Sequence, residues 1–147
     1  MRNITTVLLA ARQLKHLYDR LLAEAPGAGD FTRNELDVLL FLANHPGLDT
    51  ARDISELRGL TKSHVCKSVE SLVERGFLAG RQDRQDRRLV HLSLLPPAQP
   101  VVEAAQAAQG RFTEVLYRDV TDEERAVLER ILEKIEKNVK EESDHGY

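Results

Sequence analysis

The sequence from Gly59 to Leu94, GLTKSHVCKSVESLVERGFLAGRQDRQDRRLVHLSL, decides the fold of this chain. Its first half has the apolar spacing of an amphipathic helix, which begins at Thr61 and ends at Gly76. Its second half predicts two short strands joined by an arginine-rich turn. A helix coupled to a basic hairpin fits two neighbouring grooves of duplex DNA, because the helix enters the wide groove while arginine side chains enter the narrow one.

A shorter helix is predicted immediately before this one. Thr50 has the position of its N-cap, and Asp53 lies near the positive N-terminal end of the helix. Ile54 and Leu57 are its predicted inward residues, and Gly59 ends it. A turn of only about three residues separates the two helices, which is the spacing of a helix-turn-helix.

The second helix of this pair is predicted to bury one face and to present the other to DNA. The predicted buried stripe consists of Val65, Val69, Leu72 and Val73. The predicted DNA-binding residues are Thr61, Lys62, Ser63, His64, Lys67, Ser68 and Ser71. Thr61 and Lys62 are expected to position the DNA backbone, whereas the candidates for bases or phosphates are Ser63, His64, Lys67 and Ser68. The alternative is an ordinary polar face in contact with water.

The hairpin is predicted from residues 77–81 and 87–94. In the second strand, Val90, Leu92 and Leu94 alternate with Leu89, His91 and Ser93. Residues 83–86 are polar enough to form the tip. Arginine suits this hairpin because its guanidinium is weakly hydrated and fits a narrow, electronegative groove. The alternative is a solvated hairpin whose surface ion pairs contribute little.

Helices are predicted on both sides of this region. One covers residues near 3–24, and a second begins at Thr32 with Glu35 completing a capping box. Three prolines, at positions 96, 97 and 100, precede a fifth helix that runs to about residue 118. Thr121 and Glu124 form another capping box before a last helix with apolar residues at helical spacing. The predicted fold class is mainly α with a small β-hairpin wing (α+β), in the winged helix-turn-helix architecture.

The chain is predicted to form a single domain over residues 1–147. Within it, residues of about 32–95 are expected to form the DNA-binding lobe, and residues of about 1–25 and 97–143 a helical dimerisation region. Helices one, five and six each carry a long apolar stripe that a small winged core cannot cover. Two chains that intertwine bury these stripes most simply, while the alternative is a monomer that folds its ends back on itself.

Charge is unevenly distributed along the sequence. The 147 residues carry a net charge of −3, with 41% hydrophobic and 31% charged residues, as in ordinary globular proteins. Residues 52–91 contain nine Lys or Arg against six Asp or Glu, whereas residues 119–147 contain five against ten. The positive charge therefore concentrates in the segment expected to contact phosphate. No apolar run approaches the length of a membrane span.

Cysteine and histidine provide no evidence for catalytic or metal chemistry. The single cysteine, Cys66, forms no internal disulfide, which fits a cytoplasmic location. It is interpreted as a small buried side chain beside Val69 and Val73, with a redox role as the alternative. The histidines lack metal spacing, and His16 is interpreted as a surface residue with an effector pocket as the alternative. No phosphate-binding loop or nucleophile elbow is present, so neither an enzyme nor a cofactor is predicted.

The order of elements resembles the MarR family of transcriptional regulators over nearly the whole chain. The segments that carry the resemblance are FTRNELDVLLFLANHPG, SHVCKSVESLVERGFLAGR and DRQDRRLVHLSLL. The last is similar to the family's wing pattern of Asp, two residues, then Asp-Arg-Arg and an alternating strand. The sequence departs from the family after the wing, where Leu95 replaces a threonine and Ala98 a glycine. The entry to helix five is therefore expected to be capped differently.

The resemblance implies a homodimer that acts as a repressor by binding a pseudo-palindromic operator on double-stranded DNA. It also implies that a small-molecule effector or cysteine oxidation releases the protein from this operator. It implies wing contacts from Arg81, Arg84, Asp86, Arg87 and Arg88. Arg84 and Arg88 are the foremost candidates for the narrow groove, and Asp86 is expected to hold an arginine side chain. Two alternatives remain: a winged-helix scaffold that contacts only proteins, and a cysteine-based redox sensor of the same fold. The residues do not identify an effector-binding site.

Overall fold

The computed structural model describes residues 3–145. Within them the helices are α1 (Ile4–Ala23), α2 (Arg33–Asn44), α3 (Ala51–Arg58), α4 (Lys62–Glu74), α5 (Gln99–Leu116) and α6 (Asp122–His145). A hairpin of β1 (Leu78–Gln82) and β2 (Val90–Leu94) lies between α4 and α5. Short 3-10 turns cover Ala28–Asp30 and Pro96–Ala98. The predicted fold class, mainly α with a small β-hairpin wing, is confirmed.

Capping side chains fix most of the helix starts where the sequence predicts them. The side chains of Thr32, Thr50 and Thr121 each accept a hydrogen bond from the backbone amide three residues on. The carboxylate of the acidic residue at that position accepts one from the backbone amide of the threonine, which completes a capping box. Thr61 caps α4 by accepting from the amide of His64. Gly59 ends α3 with a φ of 67°, a left-handed conformation that favours glycine.

The core lies in the part of the chain that contains the helix-turn-helix and the wing. The chain consists of two compact units, residues 1–112 and 113–147. In the first unit, α2, α3, α4, both strands and the start of α5 contribute buried side chains: Leu36, Val38, Leu39, Ile54, Val65, Leu72, Leu78, Leu92 and Val101. The predicted limits of the DNA-binding lobe and of the dimerisation region stay predictions.

The hairpin pairs antiparallel, with Leu78 opposite Leu94 and Gly80 opposite Leu92. The first strand has the predicted length but begins one residue later, and the second is three residues shorter than predicted, because residues 83–89 form the loop between them. The amide of Leu92 also donates to the carbonyl oxygen of Asp49, at 2.8 Å, so β2 is bound to the loop that precedes α3. The wing, defined as Leu78–Leu94, is therefore attached to the helix-turn-helix at its base.

Two apolar residues predicted to face inward are exposed. Leu57 is 60% exposed, because α3 turns Ala51, Ile54 and Ser55 inward and Leu57 lies outside that face. Val73 is 42% exposed, because it is rotated by about 100° from Leu72, which is fully buried. The prediction was wrong at both positions.

Long apolar stripes remain uncovered on the terminal helices. The exposed residues on α1 are Ile4, Val7, Leu8, Leu9 and Leu14, and those on α6 are Val127, Leu128, Ile131, Leu132, Ile135 and Val139. On α6 the stripe recurs at three- and four-residue steps, which is the spacing of one helix face.

The entry to α5 is formed by a 3-10 turn over Pro96–Ala98. Leu95 precedes the 3-10 turn without a side-chain cap, and Ala98 is fully buried.

Within residues 3–145, no helix has the combination of length and apolar composition that a bilayer crossing needs.

Candidate DNA-binding surface

The N-terminal turns of α4 present polar and basic side chains to solvent. Thr61, Lys62, Ser63, His64 and Lys67 are all exposed. The hydroxyl of Thr61 caps the helix, so this residue has a structural role independent of any contact with DNA. The structure therefore brings five of the seven predicted residues of this helix to one accessible end.

The other two predicted residues, Ser68 and Ser71, face inward. Ser68 is only 6% exposed, because it lies three residues after Val65 and four before Leu72, on the buried face. Ser71 is half-buried, and its hydroxyl donates to a carboxylate oxygen of Glu35 at 2.9 Å. Both were wrongly predicted to lie on the exposed face, because a small polar residue in the buried stripe breaks the apolar pattern.

Cys66 is exposed, which contradicts its interpretation as a buried side chain. It lies one residue after Val65, and this step of about 100° turns it away from the core. It lines a cleft of about 790 Å³ between α3, α4 and the wing, together with Lys62 and Arg88.

A buried carboxylate on α2 fixes the position of α4. Glu35 is 4% exposed, and its Oε1 accepts from the amide of Thr32 at 2.8 Å. Its Oε2 accepts from Ser71 at 2.9 Å and from Nη1 of Arg75 at 3.2 Å. Arg75 also lies over the rings of Phe31 and Phe77, with its Cζ 4.7 and 5.0 Å from their centroids. The sequence predicted Glu35 only as a capping residue, since its partners Ser71 and Arg75 lie far away along the chain.

The charge of Glu35 is retained despite its burial. Desolvation is the largest influence and raises the pKa of Glu35. Hydrogen bonds from Thr32 and Ser71, together with the charge of Arg75, outweigh it, so the pKa is lowered overall. A lowered pKa contributes stability above the carboxyl pKa of the unfolded chain, and this contribution is lost as the pH falls through the folded pKa.

A second buried carboxylate binds α3 to α2. Asp37 accepts from Nε of Arg33 at 3.1 Å and from Nη2 of Arg58 at 2.9 Å, and its side chain is 7% exposed. Arg33 also pairs with Asp19 on α1. Ion pairs between half-exposed arginines and these two buried carboxylates therefore connect both helices of the helix-turn-helix to α2.

We expect Glu35→Ala to lower the free energy of unfolding by about 2–3 kcal/mol, since it leaves Ser71 and Arg75 without their buried acceptor. Chemical denaturation at neutral pH measures this loss. A matched control is Glu56→Ala, which breaks the exposed pair with Arg52 and should change stability by less than about 0.5 kcal/mol. Equal effects of the two substitutions would show that the Glu35 contacts do not stabilise the lobe.

The wing presents its arginines to solvent. Arg81, Arg84, Arg87 and Arg88 are all exposed, and the side chain of Arg88 is 92% exposed. Asp86 accepts from the amide of Arg88 at 3.0 Å and from its Nε at 3.3 Å, which is the kind of arginine contact expected of it.

Asp83 organises the wing loop, and this role was not predicted from the sequence. Its Oδ2 accepts from the amides of Gln85 and Asp86 at 2.9 and 2.8 Å, so one carboxylate fixes the turn that carries Arg84. Its Oδ1 lies 2.8 Å from Nε2 of His91 on β2. Alternation in the strand placed His91 on one side of the hairpin but gave no sign of this partner.

His91 has a second carboxylate partner outside the wing. Its Nδ1 lies 2.7 Å from Oδ1 of Asp49, in the loop before α3. The side chains of His91, Asp49 and Asp83, called the His91 cluster below, are 27%, 36% and 28% exposed. In the part of the chain that the structure describes, no group of three or more His, Cys, Asp or Glu side chains has an arrangement that fits a metal ion.

The helix-turn-helix, the basic wing and their connection at Asp49 place this chain among winged helix-turn-helix proteins. Residues 30–89 match the model of the MarR family. The proteins of this family are transcriptional regulators rather than enzymes.

Solved structures are similar in fold to this chain over nearly its whole length. The transcriptional regulator PA3341 is 21% identical with a TM-score of 0.77, over 93% of this chain and 97% of that one. A DNA complex of MepR from S. aureus is 20% identical with a TM-score of 0.72, over 94% and 99%. PcaV from Streptomyces coelicolor, solved with its natural ligand, is 26% identical with a TM-score of 0.65, over 88% and 89%. No curated protein sequence matches.

Proposed function

We propose that this chain is a sequence-specific DNA-binding repressor that acts in the cytoplasm as a homodimer on a pseudo-palindromic operator. The observation that carries this proposal is the exposure of two basic elements on one lobe, the N-terminal end of α4 and the wing loop. MepR, whose fold this chain shares, was solved on DNA.

The proposed contacts divide between the two elements. Ser63, His64 and Lys67 are proposed to contact bases or phosphates in the wide groove, with Thr61 and Lys62 against the backbone. On the wing, Arg84 and Arg88 are proposed to enter the narrow groove, supported by Arg81, Asp86 and Arg87. Ser68 and Ser71 are left out, because their side chains face the core and Glu35.

A second copy of the chain is the proposed occupant of the uncovered apolar stripes on α1 and α6. An exposed apolar stripe along a helix indicates an interaction site, and a symmetric dimer buries the same stripe on both copies. Two DNA-binding lobes then reach successive wide grooves, about one helical turn apart.

A small-molecule effector is proposed to control this dimer. PcaV was solved with a natural ligand, which supports this part of the proposal without locating a site. A ligand shifts the equilibrium only if it binds one spacing of the two lobes more tightly than another.

The function is tested by selecting bound fragments from fragmented genomic DNA, with and without phenolic compounds, and then titrating a selected duplex by fluorescence anisotropy. Phosphate contacts release counterions, so we expect affinity to fall by about a thousandfold or more between about 50 and 200 mM salt. A shuffled duplex of the same composition is the control and should bind far more weakly. Binding that is insensitive to salt and to sequence would favour the protein-scaffold alternative.

A further inference from the structure

The chemistry of the His91 cluster requires a charged imidazole. A neutral imidazole carries one N–H, so it donates to one carboxylate and turns a lone pair toward the other. The imidazolium carries two N–H groups and donates to both Asp49 and Asp83. Short distances at both ring nitrogens therefore fit the protonated form.

The surrounding charges favour that form. Two carboxylates contact His91, whereas one cation, Arg81, lies opposite it in the hairpin register. The hydrogen bond to Asp49, followed by the one to Asp83, raises the pKa of His91. In return, the hydrogen bond from His91 and those from the Asp86 and Gln85 amides lower the pKa of Asp83 to about 2.

The cluster joins the wing loop of the proposed site to the loop before α3. Asp49 belongs to the loop that leads into α3, and its carbonyl oxygen also holds the amide of Leu92. Asp83 holds the amides of the wing turn, next to Arg84. A change at His91 is therefore transmitted to the turn through one side chain.

We propose that His91 is a positioning residue for the wing: its charged form fastens the wing loop to the loop before α3, and its deprotonation releases one of the two attachments. The effect on DNA binding rests on the proposed function, whereas the effect on the wing does not. Because the pKa of His91 is raised, both attachments are present below the ordinary histidine pKa, and one of them is released as the pH rises through the raised value.

The effect on the wing is tested by NMR on the free ¹⁵N-labelled protein. We expect the amide shifts of Gln85, Asp86 and Arg88 to follow one titration whose midpoint equals that of the His91 ring. Asp49→Asn keeps an acceptor oxygen but removes a charge, so it should move both midpoints to lower pH. If His91 contributed to packing alone, Asp49→Asn would leave the titration midpoints of the wing amides unchanged. His16→Gln is the control and should leave the midpoints unchanged.

The effect on DNA is measured by anisotropy at about pH 6 and about pH 8.5, at constant salt. His64 is a second histidine of the proposed DNA-binding surface, so every protein in this comparison carries His64→Gln to isolate the effect of His91. We expect the His64→Gln protein to bind about three- to tenfold more tightly at the lower pH. The same protein with His91→Gln added should have, at both pH values, the affinity that the His64→Gln protein has at the higher pH.

The two proposals fail in different ways. Wing amides that do not follow the His91 ring, or an unchanged midpoint in Asp49→Asn, would overturn the role of His91. An operator affinity that keeps its full pH dependence in His91→Gln would overturn it as well. A titrating wing in the unsubstituted protein, if that protein binds no duplex at either pH, would support the positioning role and overturn the proposed function.

Discussion

Arg88→Ala is expected to weaken operator binding by about 10- to 100-fold while leaving the fold intact. The side chain is 92% exposed and is held by Asp86, so its removal leaves no cavity and no buried unpaired group. This fold-change corresponds to about 1.4–2.7 kcal/mol for the two wings of a dimer together, or roughly 0.7–1.4 kcal/mol for each arginine, at the lower end of the range for one well-placed contact. Anisotropy titrations on the selected duplex measure the affinity, and thermal unfolding should show a stability within about 0.5 kcal/mol of the parent.

Two further substitutions separate geometry from charge. Arg88→Lys keeps the charge but replaces a weakly hydrated planar group with a strongly hydrated ammonium, so we expect an intermediate affinity. Arg111→Ala removes one positive charge from an exposed position on α5 and should leave the affinity unchanged within about twofold. If Arg88→Ala and Arg111→Ala bind the duplex equally well, the wing takes no part in recognition.

The elements of this fold were predictable because their signals are local. Capping boxes at Thr32, Thr50 and Thr121 each lie within four residues, and Gly59 ends α3 by its own backbone conformation. Such contacts depend on spacing that a single sequence displays. For the same reason, the arginine-rich turn of the wing was found from composition and alternation alone.

The supports of the candidate site were not predictable, because they join distant positions. Ser71 meets Glu35 across 36 residues, and His91 meets Asp49 across 42. Their pairing depends on how α2, α4 and the wing pack, which no local pattern displays. Ser68 shows the related error: apolar letters define a stripe only approximately, and a buried serine within it is assigned to the wrong face.

Replacing Ile131 and Ile135 by glutamate is expected to abolish dimerisation and, with it, tight operator binding. Both side chains lie on the uncovered stripe of α6, 46% and 49% exposed in the single chain, so the substitutions add little cost to the folded monomer. In a symmetric dimer the same residues from both copies are buried together, and each isoleucine contributes about 1.5–3 kcal/mol. Four buried carboxylates in their place oppose association by desolvation and mutual repulsion.

Sedimentation equilibrium at micromolar concentration measures this change, with circular dichroism to establish that the helices persist. Arg130→Gln with Lys137→Gln is the matched control, because it changes the charge of α6 by the same amount on the opposite face of the helix. The control should sediment as a dimer and bind the operator duplex, while the glutamate variant sediments as a monomer and keeps only weak binding by one lobe. A glutamate variant that remains dimeric would mean that α6 does not form the interface, and the apolar stripe of α1 would then be the surface that a second copy covers.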